Sequence, residues 1–217
     1  MGVKNCFIYS SVWLCFFVHA VEQPQIIECL LPDTEAWPEK RVVDTILLHT
    51  SCYMPQLDAA IEQVSDDIFS VEGAFQVWRF YHKGPHYTID RAGTIYRNAP
   101  ENDLAHHAQY TTMPQPDGRV NCNLFSIGIE LINDECHSIT QQQYESLVWL
   151  IKDIQTRHDI KHVLGHSMVA SRPEDIAFRN ELNMLGTIGE FIKTDPWGLD
   201  WHYLNLLYHD RKSQYGH

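Results

Sequence analysis

Phe125-Ser126-Ile127-Gly128-Ile129-Glu130-Leu131 is the stretch on which the fold turns. Its residues alternate as a strand does, and a carboxylate stands near its end. Gly128 leaves room for a ligand or another stretch of backbone to come close. Two further short apolar runs end in histidine: Thr45-Ile46-Leu47-Leu48-His49, and Lys161-His162-Val163-Leu164-Gly165 followed by His166. Each is consistent with a buried strand. Between them, 140–160 carries the clearest helical pattern. Thr140 stands where a cap is needed, with Gln143 three residues on. Tyr144, Leu147, Val148, Ile151 and Ile154 form one apolar stripe. Strands alternating with helices favour an α/β domain with a central sheet.

The remaining segments fit that plan. Residues 57–81 have helical apolar spacing, with an interruption expected near Gly73. His86-Tyr87-Thr88-Ile89-Asp90 and Thr94-Ile95-Tyr96-Arg97 flank Arg91-Ala92-Gly93, which reads as a hairpin with glycine at the turn. Residues 109–123 are polar and rich in turn formers, so they read as a loop. Residues 21–40 read as an extended lead-in, and 41–210 as one domain.

The chain has 217 residues and a formal net charge of -12. That length supports one substantial core. An acidic chain without a basic run is poorly suited to a phosphate backbone, which argues against nucleic acid as a partner. Residues 6–20 are almost wholly apolar after Lys4, and Val18-His19-Ala20 fits a cleavage site. The run is shorter than the roughly 18 residues of a membrane span, so 1–20 reads as a signal peptide and the protein as exported. No other stretch is long and apolar enough to span a bilayer. After cleavage four cysteines would remain: Cys29, Cys52, Cys122 and Cys136. Two bridges in any of three pairings, or free thiols, are equally compatible with that count.

His49, His166 and Asp195 form a possible metal set. Two histidines and a carboxylate leave one position of a zinc ion open, as a hydrolytic zinc requires. Taken singly, each residue has a plainer reading. A lone histidine among the chain's 13 is more often a buried, hydrogen-bonded one. Thr194-Asp195-Pro196 is a common turn sequence. Glu130 alone fits a surface salt bridge, and Lys193 a solvated lysine. Cys52, three residues beyond His49, is a weaker candidate ligand.

Several segments together carry more. Ile46-Leu47-Leu48-His49-Thr50, the stretch from His86 through Tyr96, Ala105-His106-His107-Ala108, the stretch from Asn123 through Leu131, Leu164-Gly165-His166-Ser167, and Lys193-Thr194-Asp195-Pro196 with Asp200-Trp201 occur in one order. In that order they resemble the zinc-dependent N-acetylmuramoyl-L-alanine amidases. That group includes AmpD-type enzymes, phage lysozymes of amidase type and the peptidoglycan recognition proteins.

The resemblance implies a central mixed β-sheet flanked by helices in a single domain. It implies one Zn2+ per chain on His49, His166 and Asp195, with Glu130 as general base. Lys193 and Tyr87 would assist the oxyanion, although Tyr87 could equally pack. His107 and Asn123 would contact substrate. The substrate class would be peptidoglycan or muropeptide fragments, cut between N-acetylmuramic acid and L-alanine. An inactive binder on the same fold, or an amidase for another N-acyl substrate, are the alternatives.

This chain departs from the family at two points. His106 replaces what is often tryptophan. The stretch between His166 and Asp195 is longer than usual, which makes Glu174 and Asp175 rival ligands and leaves 175–191 as an extra segment of helical spacing.

Overall fold

The computed structural model describes residues 24–31, 41–54, 61, 63–108, 111–169 and 194–210. The signal-peptide reading of 1–20, the segment 175–191, Glu174, Asp175 and Lys193 lie outside the described residues.

Six strands form one mixed sheet. In chain order they are β1 (Ile26–Glu28), β2 (Thr45–Ser51), β3 (Tyr87–Ile89), β4 (Ile95–Arg97), β5 (Ser126–Ile132) and β6 (His162–Gly165). Across the sheet they run β1-β4-β3-β5-β2-β6. Only β3 and β4 are antiparallel, joined as the expected hairpin with Gly93 at φ 85°. β1 is an addition to the sequence reading: part of the presumed lead-in pairs in parallel with β4.

Helix α1 (Val71–Tyr81) starts later than its apolar spacing suggests. Ser70 caps it by accepting the Gly73 N–H at 3.1 Å. Gly73 does not interrupt the helix. The Tyr53 ring packs so close to it that a β-carbon would fall 2.4 Å from ring atoms.

Helix α2 (Gln141–Gln155) carries the capping box expected from Thr140 and Gln143, and ends five residues earlier than the sequence suggests. The Gln143 amide also donates to Ile89 O at 3.3 Å and Ile132 O at 3.0 Å. One buried side chain therefore caps the helix and fastens it to the ends of β3 and β5. The short helix α3 (His166–Val169) follows β6 directly, and α4 (Trp201–Asp210) packs on α2.

Alternation along the strands separates two faces. Ile46, Leu48, Tyr87, Ile89, Ile127, Ile129 and Leu131 face α2 and its stripe. Each such side chain, buried fully, contributes about 1.5–3 kcal/mol. The opposite face is covered by Ala108, Met113, Cys122, Phe125 and Val169 around Leu47. That face also presents His49, Gly128 and Glu130. Cys29, Cys52, Cys122 and Cys136 are free thiols. Among the described residues no helix is long and apolar enough to cross a membrane.

Buried groups fasten the covering loops. Arg41 donates to Asn123 O at 2.7 Å and Ser126 O at 2.8 Å. His86 accepts the Gly128 N–H at its Nδ1, 3.0 Å away, which leaves Nε2 to donate to Asp103 O at 3.2 Å. Burial first, and then the Arg41 charge, push the His86 imidazole down to about 3 from 6.5. Below pH 6.5 the unfolded chain binds a proton that the folded site refuses. Stability of chelator-treated protein is therefore expected to be full above pH 6.5 and to fall as pH drops towards 3. Urea titrations at stepped pH check this. The window between 6.5 and 4.5 lies above the carboxylate range, and a flat curve across it would contradict the assignment.

Candidate metal centre

The register of three strands builds the centre. His49 on β2 stands opposite Glu130 on β5. On the other side Leu48 stands opposite Gly165 of β6, so His166 falls one step beyond, beside His49. Neighbouring strands lie about 4.8 Å apart, so the three residues form a lateral row. His49 is not the last residue of its strand; β2 continues to Ser51.

Asp195 reaches this row from a distant loop by three anchors. Its own carbonyl accepts the Ser167 N–H at 2.9 Å. The Trp197 N–H donates to Thr50 Oγ1 at 2.6 Å. Trp197 Nε1 donates to Thr194 Oγ1 at 2.8 Å. Gly165 makes the approach possible, because a β-carbon there would fall 2.6 Å from Pro196 Cδ.

The three side chains converge. His49 Nδ1 and His166 Nδ1 are 3.0 Å apart. The Asp195 carboxylate lies 3.5 Å from the first and 3.3 Å from the second. Ligands of a tetrahedral zinc at 2.0–2.1 Å stand about 3.3 Å from one another. The donor types and their separations therefore fit that ion. Among the described residues this is the group of histidine, cysteine and acidic side chains that converges in this way. All three are buried. Burial alone would raise the Asp195 carboxyl, but its contact with His166 outweighs it and holds the group well below the usual carboxylate range.

Glu130 is buried on the same face as His49. Cys52 is half-buried outside the converging set. Burial first, and then the Asp134 charge, raise its thiol, which keeps it protonated at neutral pH.

Tyr87 is not brought to the centre. It pairs with Ile129 and shares the α2-facing core. Its hydroxyl donates to Glu101 Oε1 at 2.7 Å. Burial, and then the Glu101 charge, push its phenol above the usual range. Of the two sequence readings for this residue, packing is the one that matches its position.

His107 and Asn123 lie in the covering layer. The Asn123 side-chain oxygen accepts the N–H groups of His107 at 3.2 Å and Ala108 at 2.7 Å. It is fully buried and shapes that loop. His107 Nδ1 is 3.0 Å from His49 Nε2. The space that Gly128 leaves open is filled by the His107 ring, 2.5 Å from where a β-carbon would sit.

Ser126 and His86 complete the surroundings, and the sequence reading did not single them out. Strand alternation contains the signal for both. Ser126 precedes Gly128 and Glu130 at spacing two, and His86 precedes Thr88, which pairs with Glu130.

Comparison with known proteins adds four findings. A family model described as N-acetylmuramoyl-L-alanine amidase matches residues 39–177. A putative N-acetylmuramoyl-L-alanine amidase of Rickettsia conorii is 37% identical over 82 residues, 36% of this chain and 30% of that protein. The 1,6-anhydro-N-acetylmuramyl-L-alanine amidase AmpD of Citrobacter freundii is 33% identical over 87 residues, 39% of this chain and 45% of that one. These alignments thus span less than half of either relative. Among solved structures, a selenomethionine derivative of AmpD superposes with a TM-score of 0.57 at 24% identity, covering 85% of this chain and 94% of that one. That likeness concerns the fold.

The anchoring of Asp195 yields a stability prediction. Gly165→Ala forces Pro196 away from β6, and overpacking of this kind costs about 1–3 kcal/mol. Thermal melts should show the loss, with weaker zinc uptake beside it. A variant as stable and as metal-competent as wild type would contradict the packing argument.

Proposed function

Because the chain belongs to the N-acetylmuramoyl-L-alanine amidase family, we propose that it is a zinc-dependent hydrolase of the amide joining the lactyl group of N-acetylmuramic acid to L-alanine, in peptidoglycan or muropeptides. The observation that carries the zinc dependence is the spacing of His49 Nδ1, His166 Nδ1 and the Asp195 carboxylate, 3.0 to 3.5 Å. When bound, zinc supplies Lewis acidity towards the scissile carbonyl and a more acidic water.

The protein's own groups divide the rest of the work. Glu130, in register with His49, accepts a proton from the attacking water and delivers it to the leaving amine. The amine departs protonated, and no covalent enzyme intermediate forms. The oxyanion role assigned to Lys193 rests on its position two residues before Asp195 in the sequence. Tyr87 has no part in the proposed chemistry, since its hydroxyl is engaged with Glu101. Export through residues 1–20 belongs to the same proposal, and intact mass of the secreted protein tests it by cleavage after Ala20.

Digestion of muropeptides followed by mass spectrometry tests the reaction. Separate sugar and peptide masses are expected, and intact lactyl–alanine bonds would overturn it. Glu130→Gln is expected to retain stoichiometric zinc while kcat falls about 10²–10⁴-fold. Asp195→Ala is expected to lose both zinc and activity, while Asp175→Ala keeps both. Full activity in the Asp195 variant would overturn the third ligand. Elemental analysis beside the same assay reads each outcome.

A further inference from the structure

His107 is used neither as a ligand nor as an acid or base, yet it touches the most central ligand. We propose that His107 is a positioning residue: it fixes the tautomer of His49, so that His49 Nδ1 carries the lone pair that faces the metal. The inference rests on the zinc reading above.

Hydrogen-bond accounting from the far end leads to it. The Ser126 hydroxyl donates its one proton to Cys122 O at 2.6 Å. Towards His107 Nε2, 3.4 Å away, the Ser126 oxygen is then restricted to accepting. His107 must therefore carry its proton on Nε2. A neutral imidazole has one donor and one acceptor nitrogen, so His107 Nδ1 is left as an acceptor. Its partner at 3.0 Å is His49 Nε2, which must donate. The proton of His49 is thereby held on Nε2, and Nδ1 is bare. Nδ1 is the atom that stands 3.0 Å from His166 Nδ1 and 3.5 Å from the Asp195 carboxylate. Cys122 O, Ser126, His107 and His49 form one directed chain that ends at the centre.

The surroundings hold this chain in place. The His107 ring occupies the gap over Gly128, which no other residue would leave open. Its backbone N–H is held by Asn123 Oδ1 at 3.2 Å. Its ring meets the His49 ring edge-on, with centroids 5.1 Å apart. Partners of this kind raise ligand basicity and fix ring orientation, and their loss typically lowers metal affinity about 10–100-fold.

The test compares zinc affinity in wild type, His107→Phe and His107→Asn by competition with a chromophoric chelator. Phenylalanine fills the gap but offers no acceptor. Asparagine offers an oxygen near the position of Nδ1. Zinc affinity is expected to fall about 10–100-fold in His107→Phe and to recover for the most part in His107→Asn. Wild-type affinity in His107→Phe would overturn the inference alone. A wild-type protein that binds no zinc would overturn the metal reading and the inference with it. Should the variants fold poorly, long-range proton–nitrogen NMR of the wild-type protein decides directly. Protons on Nε2 of both His107 and His49 are expected, and a proton on His107 Nδ1 would overturn the proposal.

Discussion

The parallel register of β5, β2 and β6 is the constraint on which the centre depends. It sets Glu130 against His49 and brings His166 one step past the Leu48–Gly165 pair. A slip of one residue in any of these strands would turn its side chain to the other face, into the core against α2. The register is held because that face is apolar and fully buried. Ile46, Leu48, Ile127 and Ile129 have no other place to go. The hydrophobic packing on one side of the sheet thus determines the positions of polar atoms on the other.

The third member of the converging set is secured by different means. Asp195 lies on no strand, so its place depends on local anchors at Ser167, Thr50 and Thr194. Absence of side chains matters here as much as contact. Gly165 admits Pro196, and Gly128 admits the His107 ring. Two glycines, on β5 and β6 at either side of β2, let a loop and an imidazole approach the sheet more closely than any other residue would allow. In the strand interior such residues weaken pairing, and their use here is close approach rather than a turn.

The histidines His86, His107, His49 and His166 form a continuous row, with successive ring centroids 5.5, 5.1 and 4.5 Å apart. Its last two members, His49 and His166, meet the Asp195 carboxylate. At the near end His86 is fixed by the Gly128 N–H and by Asp103 O. His86, His107 and His49 each have a directional partner, as buried polar groups require. The row passes from His86, held by backbone partners, to the converging set of His49, His166 and Asp195 within one covered face of the sheet.

Much of this was legible in the sequence. Alternation around Ile127 and Ile129, the apolar runs ending at His49 and His166, and the Thr140–Gln143 cap follow from local chemistry, which a sequence carries directly. The hairpin through Gly93 is of the same kind. So is the choice of His49, His166 and Asp195, which the structure brings together, because residue types in order identify the family. Tertiary structure decided what depends on residues far apart in the chain. Gly73 lies within a helix because Tyr53 packs on it. Tyr87 turns to the α2 core, since alternation defines two faces without saying which becomes the site. Residues 26–28 become a strand only through pairing with β4. His107 acquires its role from Ser126 and His49, 19 and 58 positions away. Sequence determines which chemical groups are available, and long-range packing determines which of their atoms meet.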